Sequence, residues 1–402
     1  MFDAPAAISG RRADIDSLRV LALALLIVYH VLLIYTGREF WRENSSYHGY
    51  WADYLLATIT PWRMALVFLI GGVAVRFMFS RPSFSAFLRE RAARLLTAFL
   101  FAVVVLVPPQ RFVQLDEIPG HPHTGYFSYL FGEAPFAVSY LGLHLPQFAH
   151  AWFLPYLFAY SCLAGALWWL SRRAFHLLQG AIERVPAPAW ILATMGWFAF
   201  IETAFSVSMS GDRMFLTDWG GHLKFLPLFL LGVMIGRNAR LLDFGRFKLR
   251  LWGAAAALLC ASVWLEWLVL NGRPELNNIW LVARGAYGGA MLWSVVTFGH
   301  WALNRASPTL TYASDAILPV YLLHQTTLIL AADVILGWRW PLALELPTLI
   351  MAATVVPLLI YHLLVRRTPW LRFLFGLRPR PRARTADAAR PPVDYAPAHR
   401  PG

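Results

Sequence analysis

The chain has 402 residues, of which 58% are hydrophobic and only 14% are charged. A soluble domain of this length needs more charge to cover its surface, so the composition excludes an ordinary soluble protein. The formal net charge of +13 does not indicate nucleic-acid binding, because the positive residues are concentrated in alternate loops between apolar segments. The two cysteines, Cys162 and Cys260, fall inside apolar segments, so no disulfide framework is expected.

The apolar residues occur in long runs, each near the ~20 residues that cross the hydrocarbon core of a bilayer. The pattern predicts an all-α, polytopic membrane helix bundle with about ten transmembrane helices. The predicted spans are 18–36, 54–79, 94–113, 151–170, 189–209, 222–236, 250–270, 278–303, 311–337 and 342–365. The sixth of these is the shortest.

The distribution of Lys and Arg predicts the orientation of the bundle. Most of the 35 lie in the N-terminal segment, the C-terminal tail and alternate loops, which is the positive-inside pattern with both termini in the cytoplasm. We therefore expect a multi-pass protein of the cell inner membrane. Its predicted parts are a cytoplasmic N-terminal segment (1–17), a transmembrane domain (18–365) and a disordered basic cytoplasmic tail (366–402) that is attracted to anionic lipid.

The first span carries two ionisable residues on one face. Arg19 and His30 are eleven residues apart, which is about three helical turns and about 16 Å along the axis. Asp16 lies within about 40° of the same line. A cation near the cytoplasmic end suits the phosphates of a cytosolic donor, and a deeper imidazole suits removal of a proton from a hydroxyl.

Other ionisable residues also fall within the predicted spans, mostly toward their outer ends. An ionisable side chain inside the membrane is costly, so it usually faces the bundle interior. The pattern predicts a polar site in the outer half of the bundle, although an interhelical hydrogen bond or snorkelling explains any one residue equally well. These residues are Arg63, His150, Glu202, Lys224, Glu266, Arg284 and, near mid-span, His324.

Two loops have a distinctive composition. The segment 80–94 combines Arg with Phe and Leu and predicts a basic amphipathic helix on the cytoplasmic surface. The longest external loop, 114–150, is rich in His, Pro and aromatic residues but has no compact ligand spacing. We expect it to be a loop or lid that faces a sugar, with no metal site.

Four segments with distinctive residues occur in order along the chain: Asp16-Ser17-Leu18-Arg19 with His30, Arg63-Met64 with Val67–Gly72, His150–Leu154, and Pro319–Gln325. Together they resemble the motifs of one protein family, the type-three membrane acyltransferases. These multi-span proteins O-acylate sugars and polysaccharides. The second and third segments are most similar to the branch associated with succinylation of periplasmic glucans. Gly71 stands where the family usually has Ser, which excludes a hydroxyl role there.

The resemblance implies an enzyme that moves an acyl group, of the acetyl or succinyl class, onto a hydroxyl of a periplasmic or cell-surface glycan. The implied donor is cytoplasmic acyl-CoA, a substrate, and no bound cofactor is expected. His30 would be the general base or a nucleophile that carries the acyl group, Arg63 would stabilise the oxyanion, and His324 completes the catalytic set. The predicted substrate-binding residues are Asp16, Arg19, His150 and Trp152.

Structural roles remain open for two of these residues: Trp152 as an interfacial anchor and His324 as a partner in a helix–helix hydrogen bond. A different function also remains open, a transporter or flippase for a glycan, lipid or organic acid, with the same polar residues as a translocation path. That function predicts two related halves with paired broken helices, and the sequence shows no internal repeat.

Overall fold

The computed structural model describes residues 12–37, 45–116, 125–136, 138–140, 143–205, 215–236 and 245–378. These residues form an all-α bundle, as predicted, with one short antiparallel hairpin in which Ser139 pairs with His144. The elements are α1 (Ala13–Leu33), α2 (Tyr50–Met78), α3 (Phe84–Phe101), α4 (Val107–Asp116), α5 (Tyr126–Gly132), β1 (Val138–Tyr140), β2 (Leu143–Leu145), α6 (Phe153–Leu170), α7 (Arg172–Glu183), α8 (Ala187–Phe205), α9 (Trp219–Ile235), α10 (Lys248–Leu270), α11 (Asn277–Ala302), α12 (Pro308–Gly337), α13 (Leu342–Ile360) and α14 (Pro369–Leu374).

Nine helical segments of the described chain are long and apolar enough to cross a membrane. The shorter apolar helix α9 corresponds to the short sixth predicted span. Each of the ten predicted spans therefore has a helical counterpart, and the polytopic fold is confirmed. Helix α1 packs against α2, α11, α12 and α13, so the helix that carries Arg19 and His30 lies inside the bundle.

The basic helix predicted over 80–94 is present from Phe84, but it forms the first turns of the third span. One apolar helical path runs from Phe84 to Leu115, and its first turns carry the basic residues. Phe87 is fully buried, and Arg91 donates a hydrogen bond to Ser161 Oγ on α6 at 2.8 Å. These contacts hold the segment against the bundle. An amphipathic helix that the sequence did not predict is α7, which buries Phe175 and exposes Leu177.

The third span is interrupted by a π-helical turn, Ala102–Leu106, which joins α3 to α4. Pro108 and Pro109 follow after Val107 and have no N–H to donate to the preceding turn. Thr326 Oγ1 on α12 donates a hydrogen bond to the carbonyl oxygen of Leu106 at 2.7 Å. This bond joins α12 to the chain at the break in the regular helix, and it fixes α4 beside α12.

Two boundaries of the predicted domain layout change. Helix α1 begins at Ala13, so residues 13–17 belong to the first helix. Residues 366–378 are not disordered: they include α14, and the buried Phe375 packs against Phe101 with ring centroids 5.0 Å apart. Gly376 follows in the left-handed region with φ of 65°, and a Cβ there would lie 2.2 Å from the carbonyl oxygen of Arg94. Residues 379–402, the rest of the predicted tail, lie outside the described residues.

Candidate functional site

Three histidines from distant parts of the chain meet inside the bundle and form what we term the histidine cluster: His30, His150 and His324. His30 is on α1, His324 is on α12, and His150 lies in the 3-10 turn that precedes α6. Nε2 of His324 is 3.1 Å from Nδ1 of His30, and the ring centroids of His150 and His324 are 5.3 Å apart. All three are buried. The sequence predicted that they share one polar site, and the structure brings them together.

The neighbouring carbonyl groups define which ring nitrogens carry protons. Nδ1 of His324 is 2.6 Å from the carbonyl oxygen of Tyr321, and Nδ1 of His30 is 3.0 Å from that of Leu26. A carbonyl oxygen only accepts, so both Nδ1 atoms carry the hydrogen when the rings are neutral. Nε2 of His324 then accepts from the His30 Nδ1–H group. In this tautomer Nε2 of His30 holds the basic lone pair.

Contacts with α12 position His150. Its Nε2–H donates to the carbonyl oxygen of Leu322 at 2.9 Å, and the hydroxyl of Tyr321 donates to the His150 carbonyl oxygen. Tyr321 therefore links the start of α6 to α12, one turn before His324. The sequence did not assign this residue a role, although its position in the segment Pro319–Gln325, three residues before His324, was a signal that could have found it.

Arg63 supplies the positive charge beside the cluster. Its guanidinium carbon lies 3.7 Å from the centroid of the Tyr29 ring, a close cation–π contact. The group is buried and near enough to interact electrostatically with both His30 and His324. Tyr29 is a second residue that the sequence did not single out, and its position next to His30 places the cation at the site.

A cavity of about 1220 Å³ approaches the cluster from one end of the bundle. Its deep end is lined by Leu26, Arg63 and Tyr321, two of which accept hydrogen bonds from the imidazoles through their carbonyl oxygens. The opposite end is strongly basic, and we term it the arginine mouth. It consists of Arg19, Arg81, Arg94, Arg366, Arg372 and Arg378.

Asp16 and Arg19 lie on one face of α1, as the sequence predicted. Both line the cavity, and Arg19 Nη1 is 3.6 Å from Asp16 Oδ1. The cavity also extends from Arg19 to the deep end. It therefore runs along the helix that separates Arg19 from His30, a length of about 16 Å. Glu90 holds two other arginines of the mouth, with Arg81 donating at 2.9 Å and Arg378 at 3.3 Å. This ion pair raises the pKa of Arg81 above its usual value.

The two glycines of the second-helix motif have different environments. A Cβ on Gly72 would lie 2.0 Å from the carbonyl oxygen of Phe229, so this glycine allows α2 and α9 to pack backbone to backbone. Gly71 lines the cavity, and a Cβ there would meet side chains alone, the end of Leu157 at 3.0 Å and the Phe229 ring at 3.7 Å. The position that usually carries Ser in the resembling family therefore faces the cavity.

Trp152 lies in a different environment from the other candidate residues. Its ring packs in an aromatic cluster with Phe68, Tyr156 and Phe225, at centroid distances of 6.4, 5.2 and 6.3 Å. The cavity is lined by its neighbours Phe153 and Leu154 instead. An acceptor-binding role for Trp152 stays a prediction.

Three of the ionisable residues that the sequence grouped with the histidines form a separate ion network. Lys224 Nζ is 2.7 Å from Glu202 Oε1, and Arg284 pairs with the other carboxylate oxygen. The network joins α8, α9 and α11, and its residues do not line the cavity. The expectation of one outer-half site is therefore wrong for these three residues, because their charges are used between helices.

The fold and the site together define a class: a polytopic membrane protein in which a basic cavity ends at buried, proton-sharing histidines. Among the described residues, no group of three or more His, Cys, Asp or Glu is arranged to hold a metal ion.

Comparison with known proteins identifies the family. A family model described as an acyltransferase domain matches residues 12–362, and the chain belongs to this acyltransferase 3 family. Glucans biosynthesis protein C of Escherichia coli strain K12 is 25% identical over 386 residues, which is 92% of this chain and 95% of the relative. The protein of the same name from Escherichia coli O9:H4 strain HS has the same identity and coverage. No solved structure matches the chain.

Family membership decides between the two functions that the sequence left open. The chain is a membrane acyltransferase, an enzyme. The resemblance stated from the four motifs is confirmed for the family, and the relatives found at 25% identity carry the name glucans biosynthesis protein C.

Proposed function

We propose that the protein is an inner-membrane O-acyltransferase that moves an acetyl- or succinyl-class group from cytoplasmic acyl-CoA to a hydroxyl of a periplasmic or cell-surface glycan. The observation that carries this proposal is the position of the His30–His324 pair, which lies one helical turn beyond Leu26 and Tyr321. These two residues line one end of a cavity whose other end is the arginine mouth. The names of the relatives support a glucan as the acceptor. The positive-inside pattern supports a cytoplasmic location for the arginine mouth.

The cavity suits the two ends of acyl-CoA. The nucleotide end carries several phosphate charges, and guanidinium groups bind phosphates with charge-assisted hydrogen bonds. The pantetheine arm is a long, narrow chain, which fits a cavity that extends from Arg19 to Arg63. Asp16, paired with Arg19, orients that guanidinium. Bound in this way, the donor places its thioester beside the histidine cluster.

The arrangement supports direct transfer with His30 as general base. Nε2 of His30 takes the proton of the acceptor hydroxyl, and the hydroxyl oxygen attacks the thioester carbonyl carbon. A C–O bond forms, the C–S bond breaks, and the imidazolium returns its proton to the leaving thiolate. Arg63 stabilises the oxyanion of the tetrahedral intermediate, since a fixed cation in a dry site acts strongly there. His324 accepts from the His30 Nδ1–H group and holds the ring in the reactive tautomer.

The proposal is tested with His30→Gln and His30→Ala in reconstituted vesicles supplied with acetyl- or succinyl-CoA and a glucan oligosaccharide. We expect glucan acylation to fall by about 10²–10⁴-fold, the usual contribution of a general base. His362, which accepts from or donates to the hydroxyl of Tyr312 on the bundle exterior, provides the matched control, and His362→Gln should acylate at the wild-type rate. Unchanged acylation in both His30 variants would contradict the proposal. Mass spectrometry of the product identifies the acyl group.

A further inference from the structure

A neutral side chain on α4, Gln110, lies next to the histidine cluster on the side away from the cavity. Residues 106, 110 and 113 share one face of a helix. Leu106 accepts a hydrogen bond from Thr326, and Val113 packs against a cluster that contains Leu33 on α1 and Ile329 on α12. Gln110 lies between these two contacts and therefore faces the groove between α1 and α12.

The neighbours of Gln110 set its depth relative to the histidines. Thr326 comes two residues after His324 on α12, and Leu33 comes three residues after His30 on α1. Gln110 is therefore about one helical turn, roughly 5 Å, beyond the histidine pair. The cavity approaches the same pair from the other direction, because it ends at residues one turn before His30 and His324. The pair thus separates the cavity from Gln110.

The Gln110 amide is buried without a hydrogen bond. Its side chain has no solvent exposure, and within the described part of the chain neither Oε1 nor Nε2 has a hydrogen-bond partner. In the histidine cluster, His150 Nδ1 is also buried and has no hydrogen-bond partner among the described residues. A buried amide that satisfies none of its donors or acceptors costs free energy. Its position next to the histidine cluster makes it a suitable partner for a polar group that enters the site.

We propose that the Gln110 amide binds the acceptor sugar and positions the hydroxyl that His30 deprotonates. The inference rests on the proposed acyl transfer and names the side from which the acceptor approaches. An amide both donates and accepts, so it matches a pair of sugar oxygens, one hydroxyl as donor and its neighbour as acceptor. The donor then reaches the His30–His324 pair through the cavity, and the acceptor reaches it from the side of Gln110.

The test compares Gln110→Met with Gln114→Met in reconstituted vesicles, with acetyl- or succinyl-CoA as donor and a glucan oligosaccharide as acceptor. Gln114 lies one turn later on α4 and is buried, but its Oε1 accepts from Arg111 at 3.0 Å. For Gln110→Met we expect the KM for the glucan to rise about tenfold or more, which corresponds to one lost hydrogen bond to the substrate. The KM for acyl-CoA should not change. Gln114→Met should leave both KM values at wild type.

Thermal unfolding distinguishes a role of Gln110 in positioning the acceptor from a role in stabilising the fold. Methionine has nearly the volume of glutamine and no unsatisfied amide, so Gln110→Met should melt at or above the wild-type temperature. Gln114→Met, which loses a hydrogen bond, should melt slightly lower. Lower acceptor affinity without lower stability is a combination that a purely structural glutamine does not produce.

Three results would overturn the inference: a wild-type KM for the glucan in Gln110→Met, an equal rise in Gln114→Met, or a loss of stability in Gln110→Met that accounts for its lower activity. Acyl transfer by the wild-type protein distinguishes these three results from a failure of the proposed function. If wild-type vesicles transfer no acyl group to the glucan, the proposed function fails. If they do transfer it and the Gln110 variant matches them, only the inference about Gln110 fails.

Discussion

The histidine cluster and the Glu202–Lys224–Arg284 network are both buried polar groups in the same membrane bundle, yet they differ in what their neighbours satisfy. In the ion network one carboxylate meets two cations, each on a different helix. In the histidine cluster the rings bond to backbone carbonyls and to one another, beside the Arg63 cation and at the end of a cavity. The network uses its charges to join helices, whereas the cluster places its imidazoles next to a cavity.

This difference shows how the partners of an intramembrane ionisable residue separate a structural role from a chemical one. Both groups cost free energy to bury. Substitution of a charge that is paired between helices is expected to change the stability of the protein. Substitution of a group that borders a cavity is expected to change turnover. The two regions should therefore respond in opposite ways to the same kind of substitution.

The largest expected effect is on turnover at the cluster. In His30→Gln the amide retains a polar side chain but provides no base at neutral pH, so we expect kcat to fall by about 10²–10⁴-fold. The melting temperature should remain close to wild type, since the main-chain packing of α1 is unchanged. Parallel measurement of kcat and thermal unfolding checks both parts. A variant that melts much earlier and loses activity only in proportion would remove the contrast between the two regions.

The converse effect is expected in the ion network. Glu202→Gln leaves Lys224 and Arg284 without the carboxylate they share, and removal of one partner of a buried ion pair typically costs about 3–5 kcal/mol. We expect a large loss of thermal stability with kcat per folded protein unchanged. The double variant Glu202→Gln/Lys224→Met should recover part of the stability. A folded Glu202→Gln protein with greatly reduced kcat would place the network in the catalytic machinery.

A somewhat smaller effect is expected at Arg63, which belongs to the site but lies on a different helix from both histidines of the pair. Loss of one oxyanion-stabilising group commonly lowers kcat by about 10²–10³-fold. Arg63→Met should show this fall with little change in the KM for acyl-CoA, while Arg63→Lys should retain part of the rate. The assignment fails if Arg63→Met changes the KM for the donor and leaves kcat intact.

The smallest effect is expected at the exposed rim of the arginine mouth. The side chain of Arg378 is 61% exposed, so its interaction with a donor phosphate is screened by solvent and salt. Arg378→Gln should raise the KM for acyl-CoA a few-fold at low salt, and the difference should shrink as salt is added. A KM that changes equally at low and high salt would argue against an electrostatic role.

The sequence predicted the helices well because each apolar segment has the length of a bilayer and stands out from its loops. It also predicted three of the residues that meet at the site, His30, His150 and His324, since an imidazole within an apolar segment or at its end is conspicuous. It failed where tertiary contacts decide the structure. The docking of Phe375 on Phe101 orders a segment whose composition indicates disorder, and helix–helix pairing assigns Glu202 to an ion network.

Gln110 and Tyr321 show a second limit. Neither carries a charge, so neither stands out in an apolar helix in the way that Arg63 does. The position of Gln110 depends on the π-helical turn at 102–106 and on the bond from Thr326 to Leu106, which no local pattern specifies. The environment of Gln110 therefore becomes visible only when the neighbouring helices are in place.

In the proposed acyl transfer, donor and acceptor reach the His30–His324 pair from opposite sides of the membrane. The most direct measurement uses sealed vesicles of one orientation, with a glucan oligosaccharide inside or outside and membrane-impermeant acyl-CoA added only outside. We predict acyl transfer only when acyl-CoA contacts the arginine mouth and the glucan is on the opposite side, with no transfer in His30→Gln vesicles. Equal transfer with both substrates on the same side would contradict the account.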